Sequence, residues 1–233
     1  MSSLDSIFQV FPAPRSLLEH SGGFPDLQDS RAKSLLFADG SAPPWHLVTR
    51  VWAFWSLSSL FIFFSGRFLE LRTILEGLPA HPHGKTPRLW EKSDVYEVMI
   101  GRECEQTGHY KEFQVAPDGR WLSADVRIEG VHVKTDQEWG GDIRCVTAVN
   151  GEEKIWRAGM EIPWVLLGGR EGEGEWRCNF YRATGKFHGD ELLAWQPTGY
   201  GGNCFHRPHL FGRLKIVENS GRQAPEAAPG LTL

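Results

Sequence analysis

Two aromatic residues in this 233-residue chain stand where loops run into strands. Trp90 follows the irregular run His81-Pro82-His83-Gly84-Lys85 and Pro87, and leads into the alternating segment Asp94 to Ile100. Phe205 lies in Asn203-Cys204-Phe205-His206-Arg207-Pro208-His209-Leu210, just before Phe211 to Val217. Two rings at strand mouths can form a clamp, although a single loop Trp is more often a lid on a core. Acids accompany the first ring: Glu91, Asp94 and Glu97. Three chemistries are open to them. They can be solvated loop residues, can supply oxygen ligands to calcium, or can work as a general acid with a base or nucleophile. The last is disfavoured because no second acidic cluster occupies a matching strand end.

Other chemistries find little footing. His206-x-x-His209 has zinc-like spacing, but Pro208 intervenes and no third or fourth ligand is evident. No Gly-x-Ser-x-Gly is present, and Gly168 to Gly174 lacks the Lys-Ser/Thr of a phosphate loop, so it reads as a hairpin tip. Cys104, Cys145, Cys178 and Cys204 show no metal-type spacing and suit disulfides or buried thiols equally. The net charge of -4, with basic residues scattered, argues against nucleic acid as a partner. Val51 to Phe64 is strongly apolar but is interrupted by Ser56, Ser58 and Ser59 and bounded by Arg50 and Arg67, so no membrane span is expected. Met1 to Ser6 carries no basic region leading into an apolar one, which gives a cytoplasmic expectation by default; a secreted or periplasmic protein without its leader would read the same.

The elements that must hold the rings are strands. In Asp94 to Ile100, Val95, Glu97 and Met99 fall on one face and Tyr96, Val98 and Ile100 on the other. Thr49 to Trp55 and Leu60 to Ser65 form a hairpin through the serine turn. Another hairpin joins His109 to Val115 with Trp121 to Ile128 through Pro117-Asp118-Gly119. Ile143 to Val149, Ile155 to Trp164, Trp176 to Arg182 and Phe211 to Val217 complete the set. In Ile155 to Trp164, Trp156, Ala158, Met160 and Ile162 share a face; in Trp176 to Arg182, Trp176, Cys178 and Phe180 oppose Arg177, Asn179 and Tyr181, a polar set suited to binding. Short strands at this spacing predict an all-β chain, a β-sandwich of jelly-roll or immunoglobulin-like type. The expected organisation is an irregular N-terminal extension over 1–48, the sandwich over 49–217 and a flexible tail over 218–233.

Four pieces in order carry a resemblance: Trp90-Glu91 with Asp94-Val95-Tyr96-Glu97, Met160-Glu161-Ile162-Pro163-Trp164, Trp176 to Arg182, and Phe205-His206-Arg207-Pro208 with Phe211-Gly212. Together they resemble the family 9 carbohydrate-binding modules from about Thr49 to Val217. The resemblance implies non-catalytic binding of a mono- or oligosaccharide, or of a polysaccharide chain end, between Trp90 and Phe205. It implies hydrogen bonds from Glu97, Gln114 and Asn203, since a pyranose offers C–H groups on its faces and hydroxyls at its rim. It further implies association with glycoside-degrading enzymes in polysaccharide catabolism, and structural calcium is permitted. This chain departs from the pattern by carrying Gln114 where relatives often have Arg, Ala116 where some have Asn, and Phe205 where Trp is common. Two alternatives stand beside it. One is a haem-binding sandwich using Met99 or Met160 with His or Lys, and the other an interaction domain that has lost the sugar site.

Overall fold

The computed structural model describes residues 6–14, 24, 27, 31–73, 84–171, 175–184, 192–200 and 204–217. Among the described residues there are fourteen strands, in chain order β1 (Ile7–Pro12), β2 (Lys33–Ser34), β3 (Leu36–Phe37), β4 (Thr49–Trp55), β5 (Ser59–Arg67), β6 (Val95–Arg102), β7 (His109–Val115), β8 (Trp121–Glu129), β9 (His132–Asp136), β10 (Arg144–Asn150), β11 (Ile155–Pro163), β12 (Trp176–Ala183), β13 (Leu192–Ala194) and β14 (Gly212–Ile216). One short helix, α1 (Cys104–Thr107), connects β6 to β7. The architecture is the expected β-sandwich. Its first sheet runs β1-β14-β12-β6-β7-β8-β9, with β13 bridging β12 to β3, and its second runs β10-β11-β5-β4-β1, with β2 on β4.

Alternation explains why the sheets pack. Tyr96, Val98 and Ile100 of β6 and Cys178 and Phe180 of β12 meet Ala53, Ile62, Phe64, Trp156, Ala158 and Met160 of the second sheet in one buried cluster. Tyr96 lies between two rings, 3.8 Å from Trp156 and 4.7 Å from Phe64, with interplanar angles of 13° and 9°. Such aromatic burial is the largest single contribution to a core of this kind. Arg182 enters the same core, where its Nη1 donates to the Arg67 carbonyl at 2.7 Å and to Thr49 Oγ1 at 2.9 Å.

The lead-in, read from sequence as irregular with one short strand or helical turn, contributes β1, β2 and β3. Ile7–Val10 pairs in parallel with β14 in the first sheet, and Phe11–Pro12 pairs in parallel with β4 in the second, so β1 belongs to both. Phe8 and Val10 are buried in the central core. A short, mostly apolar run carries no local mark of a parallel partner at the far end of the chain, which is why β1 reads as an isolated fragment. The tail over 218–233 lies outside the described residues. No helix among the described residues is long and apolar enough to cross a membrane.

Candidate functional site

The outer face of the first sheet, turned away from the second, carries the candidate site. Register places one row across it: Tyr181 beside Glu97, Glu97 beside Gln114, and Gln114 beside Leu122. The neighbouring row is Asn179, Met99, Glu112 and Ala124. Glu97 therefore sits among polar side chains from three strands.

Gln114 links the acids. Its Nε2 donates to Glu97 Oε1 at 3.1 Å and to Glu112 Oε1 at 2.5 Å. Glu97 and Glu112 are 3% exposed and Gln114 is 1% exposed. Three oxygens in this group have no hydrogen-bond partner: Glu97 Oε2, Glu112 Oε2 and Gln114 Oε1. Orphaned acceptors this deep are costly, since a buried polar atom without a partner loses its hydration and gains nothing in return. Burial, with Glu112 alongside, holds the Glu97 carboxyl well above the ordinary carboxylate range. Burial also raises Glu112, to about 7, against the opposing hydrogen bond from Gln114.

A loop closes over this face. The Phe205 ring stacks on Tyr181 with centroids 3.9 Å apart, and the Tyr181 hydroxyl donates to the Phe205 carbonyl at 2.9 Å. Asn179 Nδ2 in turn donates to the Tyr181 hydroxyl at 2.9 Å. Tyr110 Oη and His206 Nδ1 share a hydrogen bond of 2.7 Å, and burial lowers the His206 pKa to about 4, so its ring is neutral near pH 7. Arg207 pins the loop by donating from Nη1 to the Thr198 carbonyl at 2.6 Å and from Nη2 to the Tyr200 carbonyl at 3.0 Å.

Trp90 occupies a 3-10 turn, Leu89–Glu91, entered through Arg88 in the left-handed region at φ 54°. Trp90 and Phe205 are both half-buried and pack against the same apolar cluster of Leu89, Val95, Ala116, Leu122 and Ala183. That cluster adjoins the Glu97 row, because Val95 is two residues from Glu97 on β6 and Ala116, just past the end of β7, is two residues from Gln114. Two apolar rings thus border a buried polar floor. Phe205 also lines an open cleft of about 170 Å³ with Leu192, Ala194, Tyr200 and Cys204.

Of the site residues expected from sequence, Trp90, Glu97, Gln114 and Phe205 gather at this face, while Asn203 lies outside the described residues. Glu91 and Asp94 do not join them. Glu91 pairs with Arg88 at 2.7 Å near the surface, and Asp94 Oδ2 accepts from the Arg72 backbone amide at 3.1 Å. Glu112 and Tyr110 are not among the site residues expected from sequence, and His206 enters there only through its zinc-like spacing with His209 and its place in the family-like Phe205-His206-Arg207-Pro208 piece. Tyr110, Glu112 and Gln114 alternate onto one face, a signal that could have found Glu112. Met99 and Met160, weighed as haem ligands, are buried in separate clusters on opposite sides of the first sheet. Among the described residues, no group of three or more His, Cys, Asp or Glu is arranged to hold a metal. The four cysteines are free thiols.

No family model matches the sequence, and no curated protein matches it. Solved structures do. A candidate carbohydrate-binding protein from Bacteroides uniformis superposes with a TM-score of 0.62 at 16% identity, over 91% of this chain and 99% of its own. A family 9 carbohydrate-binding module from Caldicellulosiruptor kristjanssonii in complex with glucose gives 0.55 at 13% identity, over 94% of this chain and 100% of the module. A family 9 module from the same organism in complex with cellotriose gives 0.57 at 13% identity, over 96% of this chain and 100% of the module. The chain shares the fold of these modules along nearly its whole length.

Proposed function

We propose that this protein binds a carbohydrate without cleaving it, on the outer face of the first sheet. The observation that carries this reading is the conjunction of two half-buried rings, Trp90 and Phe205, on one apolar cluster beside three buried, unpartnered acceptor oxygens. Aromatic faces match the C–H faces of a pyranose, and the acceptors match its hydroxyls, each of which donates one hydrogen. The fold shared with modules bound to glucose and cellotriose supports the same ligand class.

In this reading the sugar enters between Trp90 and Phe205, and a clamp of this kind takes a terminal residue more readily than a chain interior. The protein would then serve polysaccharide breakdown by holding a chain end near a degrading enzyme. Calorimetric titration of wild type and Trp90→Ala with glucose and short cello-oligosaccharides tests the proposal. Binding by wild type that is lost in a folded Trp90→Ala variant is the expected result. Equal affinity of the two proteins would sink the clamp.

A further inference from the structure

The candidate site has an electrostatic character that narrows its ligand. Among the described residues, neither Glu97 nor Glu112 forms an ion pair with Lys, Arg or His, and the influences on their carboxyls are burial, each other and Gln114. The titratable groups whose charges couple to this pair are Tyr110 on β7, Tyr181 on β12 and Cys204 in the covering loop, all acids that burial keeps in their neutral form. His206, held by Tyr110, is neutral near pH 7. Met99 and Asn179 of the neighbouring row bring no charge. Burial without a cation keeps this pair of carboxyls largely protonated near neutral pH, and a positive charge brought beside them favours their ionised form.

The three orphaned oxygens make the demand more specific. Glu97 Oε2, Glu112 Oε2 and Gln114 Oε1 all accept once the carboxyls are ionised, and they come from side chains that one amide ties together. A hydroxyl supplies one donor and also adds lone pairs that need donors of their own. An ammonium supplies three donors and no acceptor. We infer that the sugar this site prefers is an amino sugar, a hexosamine whose protonated amine is held by Glu97, Glu112 and Gln114 while its ring lies against Trp90 and Phe205. This inference rests on the sugar-binding reading above and assigns its substrate class. It predicts discrimination against uronic acids, whose carboxylate brings further acceptors and no positive charge to the pair.

Proton linkage follows from the geometry. Bringing an ammonium to the pair favours the ionised form of both carboxyls, so binding expels protons from the site near neutral pH.

The experiment is calorimetric titration of the full chain at pH 7 with glucose, glucosamine, N-acetylglucosamine and glucuronate. It is repeated in two buffers of different ionisation enthalpy. Glucosamine is expected to bind at least about tenfold tighter than glucose and N-acetylglucosamine, as a charge-assisted hydrogen bond is roughly twice as strong as a neutral one. Glucuronate should not bind, and the buffer dependence should report proton release. In Glu112→Gln, checked for folding by its melting curve, the ratio of glucosamine to glucose affinity should fall toward one. Glucose binding as tightly as glucosamine overturns the amine preference and leaves the sugar-binding reading standing. Failure of all four sugars to bind overturns both.

Discussion

The Phe205 ring lies on the Tyr181 ring at 3.9 Å with 25° between their planes, while the Tyr181 hydroxyl donates to the carbonyl of the same Phe205. Ring and backbone of one loop residue are thus held by a single strand residue. Because Tyr181 sits next to Glu97 in register, the loop is fixed relative to the polar floor by the sheet itself.

Removing only the hydroxyl separates the two attachments. Tyr181→Phe keeps the stack but deletes the bond to the Phe205 carbonyl and the acceptor for Asn179 Nδ2, which retains the Gln196 carbonyl at 2.8 Å. A stability loss of about 1 kcal/mol is expected from denaturant titration. Sugar affinity should fall with it, because the Phe205 wall is less well fixed. Unaltered affinity would mean that stacking alone positions the loop.

The second prediction concerns close approach in the core. A Cβ added at Gly66 would stand 2.3 Å from Tyr96 Oη, 2.7 Å from Thr49 Oγ1 and 3.0 Å from Arg182 Nη1. Those groups are buried and hydrogen-bonded, so they have little room to yield. Gly66→Ala should cost about 1–3 kcal/mol by overpacking, read from the shift in the urea midpoint at unchanged slope.

Trp156 forms one side of the aromatic sandwich around Tyr96, and its carbonyl accepts from the Tyr96 hydroxyl at 3.2 Å. Truncation to Ala leaves a cavity between the sheets while preserving the backbone acceptor. A loss of about 3–5 kcal/mol is expected, measurable by chemical denaturation.

The buried floor also sets a pH dependence of stability. Glu112 has an ordinary pKa of 4.5 and a folded-state value of about 7. The folded protein therefore holds this proton more tightly than the unfolded chain. Its contribution is complete below 4.5 and is lost as the pH rises through about 7, with Glu97 acting in the same direction. His206, lowered from 6.5 to about 4, acts oppositely, costing stability as the pH falls through that interval. Glu112→Gln should melt several degrees above wild type at pH 8 and close to it at pH 5. A variant less stable than wild type at both values would contradict the assigned cause.

Much of the fold was legible because alternation is a local property. The faces of β6, β11 and β12 and the Pro117-Asp118-Gly119 reversal could all be read from residue type and spacing. The site was legible in part. Glu97 and Gln114 come from strands adjacent in both sequence and space, so reasoning along the chain brings them together. Alternation names a residue's face but not what covers that face, and so the Tyr110 to His206 bond and the Phe205 to Tyr181 stack could not be foreseen. Glu91 and Asp94 share a segment with Glu97 yet are engaged by Arg88 and the Arg72 backbone, contacts that depend on how the loop folds back.

The double membership of β1 also bears on how the molecule reaches its native state. Its first half needs β14, the last strand described, and its second half needs β4. Pairings between such distant segments require closing a very long loop, which slows folding. During synthesis the β4–β5 hairpin can form early, but the first sheet cannot receive β1 until β14 has left the ribosome. Until then, the inner side of Ile7–Val10 and the free edge of β12 are open to wrong partners. The strand that joins the two sheets is thus one of the last to be secured and a point of vulnerability for the nascent chain.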